Sequence, residues 1–279
     1  MNHIVEADWL DKHLHDEGIR IIDCRFHLGD PQWGRAEYEK GHIENALYFD
    51  LNKDLSSPVQ AHGGRHPLPD TERFVQILSE AGIDEYTTVV AYDSEEGAMA
   101  SRLWWLLTFL GHKKAFVLNG GWTEWIRRDY KTTTNLPVYR KKTFVQSLNQ
   151  DFLVSMEDVK TRVLEGKKFN LIDSRDPERY KGNIETIDTK AGHIPTAVNY
   201  FWNEGIADNG TFRTKEEQEA RFSNLDKEKE TIVYCGSGVT ACPNVLMLQE
   251  AGFSNVKLYA GSWSDWISYE DNEIATTKK

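Results

Sequence analysis

The chain has 279 residues, 39% hydrophobic and 28% charged, a balance that fits a folded globular chain and excludes disorder, collagen and a coiled coil. Its 33 Lys and Arg face 44 Asp and Glu, a net charge of −11; an acidic surface repels phosphate backbones, so nucleic acid is not an expected partner. At the usual ~100–200 residues per domain, the length allows about two domains.

In chain order, Arg20–Asp23 is the first predicted strand and Thr71–Ala81 the first clear helical pattern. Thr88–Tyr92 is a second strand, Ser101–Leu110 a helix and Phe116–Leu118 a third strand. Asn135-Leu136-Pro137 and Tyr139–Lys142 read as a connector. A capping box of Ser155 and Asp158 opens a helix over Ser155–Leu164. Strands follow at Asn170–Asp173 and Thr231–Tyr234, then a helix over Pro243–Ala251 stopped by Gly252, then a strand at Val256–Tyr259. The strands are nearly continuous apolar runs, as in parallel sheets covered on both faces. The pattern predicts an α/β fold with mostly parallel sheets flanked by helices.

No apolar stretch approaches the roughly 20 residues of a membrane span. Met1–Glu6 lacks a charged region followed by an apolar run, so no signal peptide is expected and a cytoplasmic location is. Cys24, Cys235 and Cys242 are too few and scattered for a disulfide framework, and without a CxxC pair no structural zinc is expected.

The chain repeats itself. Ile21-Ile22-Asp23-Cys24-Arg25 resembles Leu171-Ile172-Asp173-Ser174-Arg175, and Gly41-His42-Ile43 resembles Gly192-His193-Ile194. Val89–Asp93 resembles Ile232–Cys235, and Gly121-Trp122-Thr123-Glu124-Trp125 resembles Ser262-Trp263-Ser264-Asp265-Trp266. The boundaries drawn are 1–138 for the first copy, 139–150 for a linker and 151–279 for the second copy. Between its His and the strand-end residue the first copy carries nine more residues than the second. That interval holds the polar, turn-rich stretch Ser56–Pro67, read as a long and functional surface loop.

The sequence Tyr234-Cys235-Gly236-Ser237-Gly238-Val239-Thr240-Ala241 places a thiol at the carboxyl end of a strand and just before a helix. Gly236 and Gly238 permit a backbone cradle whose N–H groups, with the helix N-terminus, favour a nucleophilic thiolate. The first copy has Asp93-Ser94-Glu95-Glu96-Gly97-Ala98 there, acidic and without a thiol, so it is expected to be scaffold. A phosphatase loop would need an Arg at position 241, where this chain has Ala241. Cys24 and Cys242 are expected to pack, Cys242 with a resolving-thiol role as the alternative. His42, His193, Asp23, Asp173, Arg25 and Arg175 recur in both copies and are expected to brace the fold.

Together, the Cys235–Thr240 loop, Trp104-Trp105 and Gly261–Trp266 resemble the tandem-domain rhodanese family, the thiosulfate and 3-mercaptopyruvate sulfurtransferases, over nearly the whole chain. The resemblance implies two rhodanese-like domains, the first catalytically inactive and the second carrying the active Cys235. It implies an active-site loop of Gly236, Ser237, Gly238, Val239 and Thr240, with Ser237 a hydroxyl partner for the leaving group. Arg179 matches the family's substrate-binding Arg, and His66 a first-domain His that reaches the active-site cleft. Two residues depart from the family pattern. Thr186–Lys190 lacks the second Arg common in the mercaptopyruvate enzymes, leaving Lys181 or Lys190 as substitutes, and Asn52 stands where an Asp often completes a Ser–His–Asp relay.

The expected activity is sulfur transfer from 3-mercaptopyruvate, favoured over thiosulfate, through a Cys235 persulfide. The acceptor implied is cyanide, a small thiol or thioredoxin, and no cofactor, metal or membrane is involved. A persulfide relay or binding module with slow turnover is the alternative.

Overall fold

The strands form where the sequence holds short apolar runs. The computed structural model of the chain describes residues 3–166 and 168–277. In chain order its strands are β1 (Ile4–Val5), β2 (Ile19–Asp23), β3 (His42–Ile43), β4 (Ala46–Tyr48), β5 (Thr88–Tyr92), β6 (Ala115–Leu118) and β7 (Thr132–Thr133). They continue with β8 (Leu153–Val154), β9 (Asn170–Asp173), β10 (Val198–Asn199), β11 (Thr231–Tyr234) and β12 (Val256–Tyr259). β2 and β11 are buried along their whole length, which explains their continuous apolar character.

Two compact units result. One comprises residues 1–57, 68–149 and 206–212; the other comprises 58–67, 150–205 and 213–279. The first unit has a parallel sheet in the order β1-β6-β5-β2-β4. The second repeats it as β8-β12-β11-β9-β10, also parallel. The chain is therefore α/β, with helices on mostly parallel sheets. Residues 58–67, first-copy loop in sequence, belong spatially to the second unit, while 206–212 belong to the first.

The repeated residues brace each unit identically. In the first unit the Arg25 side chain donates to Asp23 and to the Gly41 carbonyl; in the second, Arg175 donates to Asp173 and to the Gly192 carbonyl. Tyr92 Oη accepts the Ile43 N–H as Tyr234 Oη accepts that of Ile194. His42 stacks on Tyr38 and pairs with its carbonyl, and His193 does the same with Tyr180. These histidines fix turns.

Two helices begin earlier than the sequence pattern suggests. Ala98–Phe109 opens three residues before Ser101 because the Asp93 carboxylate accepts the Met99 and Ala100 N–H groups, and Gly97, at φ 85°, makes the turn. Cys242–Glu250 includes Cys242, with Pro243 in its first turn, where the missing N–H costs nothing. The capping box of Ser155 and Asp158 is formed. Residues 134–149 have no regular structure but are fixed to the first unit, through Lys142 N–H to Ser79 carbonyl (3.0 Å) and Asn149 N–H to Phe109 carbonyl (2.8 Å).

Candidate active site

Cys235 lies directly after β11, where the parallel sheet ends and the chain turns towards the helix Cys242–Glu250. Its N–H donates to Ser262 Oγ at 3.1 Å and its carbonyl accepts the Trp263 N–H at 3.0 Å, so its backbone is held on both sides. Its Sγ accepts the Gly238 N–H at 3.2 Å. Gly238 has φ 76°, and a Cβ there would meet the Ala260 carbonyl oxygen at 2.2 Å, so only glycine closes this curl. Cys242 donates its S–H to the Gly238 carbonyl at 3.3 Å, which ties the helix start to the loop. Cys24 is buried in the first unit, where burial pushes its thiol pKa well up, as suits a packing role.

The loop itself lacks a cation, but its surroundings do not. A Cβ on Gly236 would stand 2.8 Å from Arg65 Nη2 and 3.7 Å from both terminal nitrogens of Arg179. Two guanidinium groups thus stand over the cysteine loop. Burial lowers the pKa of Arg65 from its ordinary value, with the neighbouring Cys235 acting against that shift. Arg179 donates through Nε to Glu185 at 3.1 Å and through Nη2 to Asp188 at 2.8 Å. Arg65 Nη1 is paired with the other Asp188 oxygen. Arg175 also reaches Glu185, at 3.6 Å. Three arginines and the carboxylates of Asp173, Glu185 and Asp188 therefore form one network.

His66 Nδ1 and Ser237 Oγ are 2.8 Å apart, both buried, and the ring tautomer decides which of the two donates. The strap carrying Arg65 and His66 is anchored at several points. Gly63 N–H donates to Asp265 at 2.7 Å, Arg65 N–H to Ser264 Oγ at 3.1 Å, and His62 pairs with Ser268 and stacks on Tyr269. Gly64, at φ 77°, lies so close to the Gly261 carbonyl that a Cβ would meet its oxygen at 2.3 Å.

The structure thus gathers Cys235, Gly236, Ser237, Gly238, Arg179 and His66 in the second unit. Val239 and Thr240 complete the loop, and Val239 accepts the Cys242 N–H through its carbonyl at 3.0 Å. Lys181 pairs its ammonium with Glu178 at 2.8 Å, and the guanidinium that joins Arg179 beside Gly236 is that of Arg65. Sequence reasoning missed Arg65, Glu185 and Asp188. The available signal was the position of Arg65 beside His66 on a loop already marked as unusually long. Asn52 lies in the first unit, where its N–H donates to Asp50 at 2.9 Å. Among the described residues no cluster of three or more His, Cys, Asp or Glu is arranged to hold a metal ion. None of the described helices is long and apolar enough to cross a membrane.

The chain belongs to the rhodanese family: the profile described as the rhodanese-like domain matches residues 6–128 and again 155–269, one match for each copy. Within that family it is a sulfurtransferase. A protein of Pseudomonas aeruginosa described as a probable 3-mercaptopyruvate sulfurtransferase is 36% identical over 278 residues, covering 98% of each chain. The thiosulfate sulfurtransferase of Gallus gallus is 30% identical over 274 residues, covering 95% of this chain and 93% of its own. The crystal structure of SseA from Escherichia coli, described as a 3-mercaptopyruvate sulfotransferase, superposes with a TM-score of 0.81 at 33% identity, covering 95% of this chain and all of that one.

Proposed function

We propose that Cys235 is the sulfur-accepting nucleophile of a two-step transfer, with 3-mercaptopyruvate favoured over thiosulfate as donor. One observation carries this reading: a cysteine sulfur at the end of a parallel strand accepts a loop N–H while two guanidinium groups stand over the same loop. Amide dipoles and cations together favour a sulfur anion, the form that attacks.

In the first step the Cys235 thiolate attacks the donor's outer sulfur. With 3-mercaptopyruvate an S–S bond forms and the C–S bond breaks. Its electron pair goes to carbon as the enolate of pyruvate, and the thiol proton ends on that carbon. With thiosulfate the S–S bond of the donor breaks and sulfite leaves. Either route places a persulfide anion on Cys235. The second step returns the thiolate when an acceptor, such as cyanide, a small thiol or reduced thioredoxin, takes the outer sulfur. The resemblance to rhodaneses supports that set of acceptors.

Ser237 Oγ, 2.8 Å from His66 Nδ1, is the group to hand a proton to the leaving enolate, and His66 returns to Ser237 the proton that the donor thiol releases, so one proton moves in all. Arg179 and Arg65 hold the donor's anionic end, the guanidinium fork suiting a carboxylate or sulfonate. The first copy, with Asp93 in place of the thiol, is the catalytically inactive one; along the chain the inactive domain is 1–138, the linker 139–150 and the active domain 151–279, with the strap 58–67 of the first copy packed into the active unit. Activity that follows ping-pong kinetics and disappears in Cys235→Ser supports the reading; turnover in that variant contradicts it.

A further inference from the structure

We propose that Asp188 sets donor specificity: by bridging Arg65 and Arg179 it cancels positive charge over the cysteine loop and turns the site from dianionic donors towards monoanionic ones. This rests on the reading that Cys235 accepts sulfur from a donor held by these two arginines.

The placement is specific. One Asp188 oxygen takes Arg65 Nη1 and the other takes Arg179 Nη2, the latter at 2.8 Å, so a single carboxylate spans both cations. Its side chain is only 3% exposed, against 31% for Arg65 and 16% for Arg179, so the bridge is shielded from solvent while the arginines reach outwards. The Asp188 N–H donates to Glu185 Oε1 at 3.0 Å, which fixes the segment carrying it. Glu185 meets the same Arg179 Nη2 at 2.9 Å but is shared with Arg175, whereas Asp188 is shared with Arg65, the guanidinium nearest Gly236. With Asp173 on Arg175, the network balances three guanidinium groups with three carboxylates.

A site of zero net charge that holds a cysteine anion favours a donor with little negative charge. Coulomb energy scales with the donor's charge, so the negative charge that Asp188 adds to the site disfavours the thiosulfate dianion about twice as strongly, in logarithmic terms, as the single carboxylate of 3-mercaptopyruvate. Asp188 touches no reacting atom in this account; it acts by positioning and neutralising the arginines.

The test uses the intact enzyme. Loading of wild-type Cys235 is first checked by the mass gain of one sulfur atom after incubation with each donor. Absence of loading from both donors overturns the reading of the site and this inference with it. With loading established, kcat/KM is measured for thiosulfate and 3-mercaptopyruvate in Asp188→Asn, which keeps size and one acceptor oxygen. We expect a gain of about tenfold for thiosulfate and about threefold for 3-mercaptopyruvate, falling on KM rather than kcat. Asp188→Glu, which keeps the charge, should retain the wild-type donor ratio. A donor ratio unmoved in Asp188→Asn, or moved equally in Asp188→Glu, overturns the role of Asp188 and leaves that of Cys235 intact. Salt dependence in the wild type needs no variant: kcat/KM for thiosulfate should stay flat or rise from about 20 to about 300 mM salt. A steep fall over that range means the arginines act as uncancelled cations and refutes the inference.

Discussion

The two copies build the same strand-end turn and fill it with different chemistry. In the first unit the Asp93 carboxylate accepts four backbone N–H groups, from Glu95, Gly97, Met99 and Ala100, at 2.8–2.9 Å. Burial raises its pKa while those amides pull the other way. In the second unit a sulfur occupies that position and accepts the Gly238 N–H. The backbone behind both is shared: Trp122 N–H donates to the Asp93 carbonyl as Trp263 N–H does to that of Cys235. Coverage differs as well. Phe212 lies against Gly97, which a Cβ would bring within 2.6 Å of the ring, whereas the strap 58–67 brings Arg65 and His66 to the cysteine loop. One turn is filled by a carboxyl group bonded to four amides, with Phe212 against it; the other holds a cysteine sulfur on one amide, with Arg65 and His66 beside its loop.

The largest expected effect separates these roles. Cys235→Ser should abolish turnover, by at least about a thousandfold, at a stability cost under about 1 kcal/mol by urea unfolding. Asp93→Ala should do the reverse in stability, costing about 3 kcal/mol or more, because it strands four N–H groups, three of them buried. Equal stability losses in the two variants would erase the distinction drawn between cradle and scaffold.

A smaller effect tests the cations over the second loop. Gly236→Ala places a methyl 2.8 Å from Arg65 Nη2, and the flexible side chain has to give way. We expect KM for the anionic donors to rise about fivefold with little change in melting temperature. Arg179→Ala should likewise raise KM, by about tenfold, and an unchanged KM would remove Arg179 from the donor site.

The smallest effect lies in the first unit. Burial, with Asp93 and then Glu96 nearby, pushes the Glu95 carboxyl up to about 7. Its folded value lies above its unfolded one, so its protonated form contributes stability at low pH, and that contribution disappears as pH rises through about 7. Glu95→Gln should therefore stabilise the protein more at about pH 8 than at about pH 5, by about 1 kcal/mol after solvent screening. A gain of equal size at both pH values would contradict this.

The sheets were legible because each strand is a local apolar run with its turn residues beside it, and the repeat exposed the cysteine by contrast with Asp93. Local signals also explain the capping box at Ser155 and the turn-fixing role of His42 and His193. What stayed hidden depended on where distant segments travel. Nothing within residues 58–67 says that they pack with the second unit, so only the family pattern points to His66 and no local signal singles out Arg65. Asp188 looked like the absence of an arginine; only its contacts reveal a bridge between two others. The early start of the Ala98–Phe109 helix was likewise invisible, because the cap comes from Asp93, five residues before the first helical turn.

The most direct test of the central claim is intact-protein and peptide mass spectrometry after incubation with 3-mercaptopyruvate or thiosulfate in the absence of acceptor. The account predicts one extra sulfur atom on the peptide containing Cys235, removed by cyanide. An unmodified Cys235 under conditions that support turnover, or the added sulfur on Cys24 or Cys242 instead, would contradict it.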